Sequence, residues 1–244
     1  MYYKKERKIE METKYTREEE EEFVKGYNTH VENVMKQMEF CKTILTNRAK
    51  NHDLSKKEEP ERSMFIRSKR ILDSSKYGSE EYKKSIENMK KEALDHHYEN
   101  NRHHPEHYSA GVEGMSIIDI IEMMCDWCAA SNQYGTDLQE AVEVSIKRFN
   151  LQETIMANII RNSLIYFYKY GVRIMYHDGT DKIICSNNYD ELISKLKSLP
   201  MHISSRLIPV VTNYISSEDR CLDTLVPIPE TPDGKSLLAQ VVMQ

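Results

Sequence analysis

The sequence predicts a mainly helical protein with a small α/β appendage at its C-terminal end, and three observations predict it. Apolar residues recur at helical spacing from Phe23 to about residue 162. Strand-like runs such as IYFYKYGVRIMYH and KIICS begin only after about residue 163. A chain of 244 residues holds one substantial domain with room for a smaller companion. The expected division is a charged N-terminal segment, 1–20, a helical domain, 21–162, and a small α/β domain, 163–244.

Thr16 stands before REEEEEF as a helix cap, and the helix it opens runs on toward Leu45. Tyr27, Val31, Val34, Met38, Cys41 and Leu45 fall at helical intervals along it and define a stripe expected to be buried. His30 sits at the edge of that stripe. After a short break, NHDLSKKEEPERSMF begins a second helical region, with Pro60 marking a loop or a new helix start. Tyr77-Gly78-Ser79 reads as a turn, and Ser79 caps a helix expected from Glu80 to about His97. YENNRHHPEHYSAGVEG is polar and reads as a loop. Ser116 then caps MSIIDIIEMMCDWCAASNQ, whose apolar content marks the central helix of the domain. Helices at about Leu138–Arg148 and Leu151–Asn162 follow. Beyond them come a hairpin turning at Asp178-Gly179, a short amphipathic helix from Asn188 to Leu199, and proline-punctuated strand-like runs in RLIPVVTNYI and TLVPIPETPDGKSLLAQVVMQ.

Bulk properties exclude several classes of function. The net charge of -5, with both signs spread along the chain, offers no basic footprint for a nucleic-acid backbone, so no nucleic-acid polymer is expected as partner. No apolar run approaches the roughly 20 residues of a membrane span, and the start lacks the apolar centre of a signal peptide. The expected location is the cytoplasm. Five scattered cysteines suit a reducing compartment, and Cys125-Asp126-Trp127-Cys128, a lone CxxC inside a helical stretch, reads as core thiols sooner than as zinc ligands. Met115, Met123 and Met124 read as core filler, and Trp127 as a packing anchor.

Histidine is distributed unevenly. Seven of the nine, His30, His52, His96, His97, His103, His104 and His107, lie between residues 30 and 107. Imidazole is the commonest nitrogen ligand for first-row metals, and carboxylates complete such sites. The central helix offers Asp119, Glu122 and Asp126 on one face, where burial without a cationic or metal partner would be strongly unfavourable. Adjacent His96 and His97 are rotated by about 100°, so at most one serves as a ligand. His97 is the better placed, because it shares a face with Ala93 and Leu94. For His52-Asp53 the plain alternative is that Asp53 caps a helix and His52 is solvated. For Asp119 and Glu122 it is a bond to loop backbone or to Arg102.

His30, the pair His52-Asp53 and Asp126 resemble the H…HD…D pattern of the HD-domain superfamily of metal-dependent phosphohydrolases. HDLSK at 52–56, HHYENNRHHPEHY at 96–108 and MSIIDIIEMMCDWCAA at 115–130 resemble an uncharacterised family found in bacteriophage and bacterial genomes, over about residues 25–160. The first resemblance implies an HD-like helical bundle in which His30, His52, Asp53 and Asp126 ligate one divalent ion, Mn, Mg, Co, Fe or Zn. His97 would bind a second metal or stabilise developing phosphate charge, and Asp53 would orient a metal-bound water whose pKa the ion lowers. Lys56 joins this catalytic set. Arg102, His103, His104 and His107 form a cationic cluster suited to a phosphate, with Glu122 beside them on the substrate side.

These features point to a hydrolase acting on a nucleotide or another small phosphorylated molecule, with room for a homo-oligomer. The alternative is a non-catalytic metal- or ligand-binding protein, a phage accessory protein acting on a host partner in the host cytoplasm.

Overall fold

A computed structural model describes residues 15–76, 78–89, 93–175, 181–200, 222–228 and 237–243. The fold is mainly helical, with eight α-helices among the described residues and a small sheet toward the C-terminal end. The chain divides into two compact units, Met1–His52 and Asp53–Gln244.

The described part of the first unit is essentially α1, Arg17–Asn51, 35 residues long and so about 52 Å from end to end. Thr16 opens it with a capping box: its hydroxyl accepts from Glu19 N at 3.2 Å, and the Glu19 carboxylate accepts from Thr16 N at 2.6 Å. Acidic residues in the first turn and Arg48 and Lys50 in the last complement the helix dipole. The helix continues past Leu45 because TNRAKN contains neither glycine nor proline to stop it. The expected burial of its apolar stripe is not observed. No residue of α1 is buried, and Tyr27 and Met38 are 60 % and 68 % exposed. Periodicity defines an apolar face but does not specify what covers it.

The second unit starts at Asp53, followed by a 3-10 turn, Leu54–Lys57, and by α2, Glu61–Ser74. Ser79 accepts from Tyr82 N at 3.2 Å and opens α3, Glu80–Met89. Of the helix expected from Glu80 to about His97, Glu80–Met89 is α3, α4 spans Asp95–Asn100, and residues 90–92 between them lie outside the described residues. The polar loop after it holds 3-10 turns at Pro105–His107 and Gly111–Gly114. Ser116 caps α5, Ile117–Tyr134, with a second capping box through Asp119, and Gly135 ends it in the left-handed conformation at φ 65°. Asp137 and Thr154 cap α6, Leu138–Arg148, and α7, Ile155–Ser163.

One buried cluster takes in Val112, Met123, Met124, Val142, Ile146 and Ile160, and continues through Leu164, Ile165, Tyr168 and Cys185. Packing is therefore continuous from the helices into the sheet. Strands β1, Tyr170–Met175, β2, Asp181–Ser186, β3, Leu222–Ile228, and β4, Leu237–Met243, are antiparallel in the order β2-β1-β4-β3. Gly171 on β1 stands opposite Cys185 and Val242, where a Cβ would collide with Ile165. Helix α8, Tyr189–Lys197, is capped by Asn188 and buries Leu192 and Leu196. The expected hairpin is the β1–β2 pair. Its Asp178-Gly179 turn lies outside the described residues, as do RLIPVVTNYI, Tyr77, His177, His202 and Cys221.

The core burial expected of Cys125 and Cys128, and of Cys41 in the α1 stripe, is not observed, whereas Cys185 is buried. Cys41 and Cys125 are exposed and Cys128 is intermediate. No helix among the described residues is long and apolar enough to cross a membrane.

Candidate metal centre

The site is built from the entry turn of the second unit, the first turn of α2, α4, the loop after it, and α5. Asp53 adopts φ 54°, ψ 25°, a left-handed conformation uncommon outside glycine. Its side chain makes no capping bond to the 3-10 turn that follows. The carboxylate instead meets Lys56 Nζ at 2.5 Å through Oδ2, while Oδ1 lies 3.4 Å from both His97 Nε2 and His103 Nε2. His97 Nε2 is 2.9 Å from His104 Nε2. Asp53, His97, His103 and His104 thus each present a ligand atom, all within 4.8 Å of one another. Asp53, His103 and Asp126 satisfy the same criterion. Asp53 and His103 are common to both sets. Imidazole with carboxylate suits a first-row divalent ion better than the all-oxygen surroundings that magnesium or calcium prefers.

A layer of carboxylates orients the rings. Glu61, fully buried in the first turn of α2, accepts from His97 Nδ1 at 2.7 Å, from His96 Nδ1 at 2.7 Å and from the Ser55 hydroxyl at 3.0 Å. With Nδ1 committed to Glu61, His97 turns its Nε2 lone pair to the cluster. Glu122 Oε1 lies 3.4 Å from His103 Nδ1 and faces that ring in the same sense. Asn101, also buried, donates to Ser55 Oγ at 2.7 Å and to the His97 carbonyl at 2.8 Å, tying α4 to the entry turn.

Electrostatics keep the rings neutral. Burial depresses the pKa of His97 most; Asp53 and Glu61 oppose that shift and Lys56 adds to it. Burial again leads for His104, reinforced by His103, His97, Lys56 and Arg148, and holds this ring far below the ordinary histidine value. A neutral ring keeps the lone pair that a metal requires.

A cleft of about 740 Å³ opens beside the cluster. His97, His104 and Asp126 form part of its wall together with Lys56, Arg148 and Trp127. Lys56 lies over the Phe65 ring at 4.9 Å, and Arg148 pairs with Glu106 at 2.5 Å. Trp127 packs against the core, as expected of an anchor, and also faces this cleft.

The residues singled out from sequence separate into three groups. Asp53, His97, His103, His104 and Asp126 converge, with Lys56 and Glu122 in contact with them. His52 closes α1 as its C-cap residue. His30 lies on that same uninterrupted helix, 22 residues earlier, which separates the two by about 33 Å along the axis. One chain cannot bring His30 and His52 to one ion. Arg102 and His107, expected on substrate, serve the loop: Arg102 reaches Tyr108 OH at 3.2 Å and Asp119 at 3.2 Å, and His107 Nδ1 donates to the Tyr98 carbonyl at 2.8 Å. Asp119 also accepts from Ser116 N at 2.9 Å, Ser116 Oγ at 2.5 Å and Tyr108 OH at 2.9 Å. Burial alone would raise its pKa, but these bonds and Arg102 bring it down to about 2. Among the described residues, neither convergent set includes a cysteine.

Sequence reasoning missed Glu61 and Asn101. Glu61 stands in KKEEPER among other glutamates with no periodic signal of burial. Asn101 was hidden in a polar run that reads as solvated loop.

A family model described as "Family of unknown function (DUF5662)" matches residues 19–178. No curated protein and no solved structure matches the chain.

Proposed function

The chain belongs to this family of unknown function, so its chemistry has to come from the site, and we propose a metal-dependent hydrolase acting on a small phosphorylated molecule. One observation carries the reading: His97, His104 and Asp126 belong both to the convergent ligand sets and to the wall of an open cleft. A structural metal site is usually closed by four protein ligands, whereas a catalytic one has an approach for water and substrate. The cleft volume falls within the range of small-molecule sites. The wall is mixed in charge, with Lys56, Lys76 and Arg148 beside Glu106, Asp126, Asp137 and Glu140, and Lys56, next to Asp53, is the cation nearest the ligand cluster to meet a phosphate.

In this reading Asp53, His97, His103 and His104 would hold a six-coordinate first-row ion such as Mn²⁺ or Fe²⁺, a coordination number that leaves room for water beside four protein ligands, with Asp126 next to them. The ion, when bound, lowers the pKa of a water and polarises a phosphoryl oxygen. The chain's own residues perform the remaining tasks. Glu61 fixes the His97 ring and Glu122 faces His103, so little reorganisation is needed on binding. Asp126, at the mouth of the cleft, accepts the proton of an attacking water. Lys56, held at 2.5 Å from Asp53, offsets charge gathering on the phosphoryl group.

Metal analysis of the purified chain, followed by phosphate release from nucleotides and sugar phosphates with Mn²⁺, Fe²⁺, Co²⁺, Zn²⁺ or Mg²⁺ added, tests the proposal. The expected result is bound metal, with turnover lost in Asp126→Asn while metal is retained. A wild-type chain that binds none of these ions overturns it. Bound metal without turnover on any phosphate ester would favour the non-catalytic alternative.

A further inference from the structure

The apolar face of α1 has no role in the metal reading and stands independently of it. Val24, Val31, Met38 and Leu45 repeat every seven residues, and Tyr27, Val34 and Cys41 interleave with them at a spacing of three and four. That is a continuous a/d seam over three heptads. Phe23, Met35 and Ile44 widen it on either side. None of these residues is buried, with Phe23 at 73 % and Met35 at 63 % exposure. Helical stability in a protein comes mainly from packing of such a face, so a 35-residue helix with this seam calls for a covering surface.

Charge identifies the cover. The first half of the helix carries Glu18, Glu19, Glu20, Glu21, Glu22 and Glu32 against Arg17 and Lys25, whereas its second half carries Lys36, Lys42, Arg48 and Lys50 against the single acidic Glu39. Two copies side by side in the same direction would set five glutamates against five. Two copies running in opposite directions set the acidic start of each against the basic end of the other, with the apolar seams in contact between them.

We propose that this protein self-associates through α1, two copies pairing as an antiparallel coiled coil.

Light scattering on the full-length chain across micromolar to hundred-micromolar concentrations should give a dimer, and raising the salt should weaken it. Val31→Asp/Met38→Asp should give a monomer with the metal content and near-ultraviolet spectrum of the wild type. Charge matching is read separately by two charge variants, and direction by the Cys41 crosslink. Glu18→Lys/Glu20→Lys/Glu22→Lys makes both ends basic, and Lys42→Glu/Arg48→Glu/Lys50→Glu makes both ends acidic. Each alone should be monomeric, and an equimolar mixture should form a heterodimer. Mild oxidation should yield no Cys41–Cys41 crosslink, since antiparallel pairing offsets these residues along the axis.

A wild-type monomer at every concentration, whether because α1 folds against its own chain or because it awaits a different protein, overturns the proposal. So does a dimer that survives Val31→Asp/Met38→Asp, a mixture of the charge variants that stays monomeric, or a Cys41–Cys41 crosslink in a wild-type dimer.

Discussion

Glu61 is a carboxylate without solvent exposure that holds His96 and His97 at 2.7 Å each. Its work is orientation, so its replacement should be felt at the metal more than in the fold. Glu61→Gln keeps the shape but must present one amide end to a ring nitrogen as a donor, which turns or frees His97. Metal affinity should fall by about 10- to 100-fold in a competition titration. Asp119 behaves differently. It binds the loop to α5 through Ser116, Tyr108 and Arg102, so Asp119→Ala should cost about 1–3 kcal/mol in denaturant melts by removing the capping bonds and the charge-assisted bonds to a carboxylate and leave metal stoichiometry unchanged. Its carboxyl titrates at about 2 against 3.8 ordinarily. That stabilisation is fully present above the ordinary value and is lost as pH falls from about 4 toward 2. The same helix face thus carries three carboxylates with three tasks, and spacing alone could not divide them: Asp119 caps, Glu122 faces His103, and Asp126 borders the cleft.

At the scale of elements, boundaries follow residues with a local mechanism. Thr16, Ser79 and Ser116 were legible as caps because a short polar side chain before an apolar run satisfies free helix N–H groups wherever it occurs. The π-helical backbone at Ala93-Leu94 ahead of α4 was not legible, since ALDHHYEN carries no glycine or proline to mark it. The burial of α1 failed for another reason: it depends on a covering surface that lies outside the helix's own sequence. Strand β1 offers a direct test of close packing. A Cβ at Gly171 would overlap the Ile165 side chain and meet its carbonyl oxygen at 3.0 Å. Gly171→Ala should therefore destabilise the chain by about 1–3 kcal/mol, seen as a lower midpoint in urea without a change in metal content.

For the molecule as a whole, the site and the fold are coupled through protons. His97 and His104 have depressed pKa values in the folded state, whereas in the unfolded chain they titrate near 6.5. Below that value the unfolded state binds more protons than the folded one, so stability of the metal-free protein should decline as pH drops through about 6.5. A metal that binds only the folded state should raise the melting temperature at pH 7, and by a similar increment at pH 5, because rings already neutral in the folded state release no proton on binding it. Calorimetry at both values, with and without the ion, checks this. A melting temperature that rises on acidification would show that these rings are not held neutral. The histidine bias made the centre visible from sequence because ligand chemistry is a matter of residue type. Which rings converge was a matter of topology: one long helix carries His30 away from His52, while the loop after α4 folds His103 and His104 back onto Asp53.

The left-handed backbone at Asp53 also decides which replacement is informative. Asparagine tolerates that conformation nearly as well as glycine does, whereas alanine resists it by about 1 kcal/mol or more. Asp53→Asn therefore removes the negative charge while keeping the left-handed backbone, and Asp53→Gly relaxes that backbone while removing the whole side chain. If the glycine variant melts higher than the wild type yet binds no ion, the strained left-handed conformation is kept in order to aim a carboxylate. The two variants together separate what this position does for the chain from what it does for the ion.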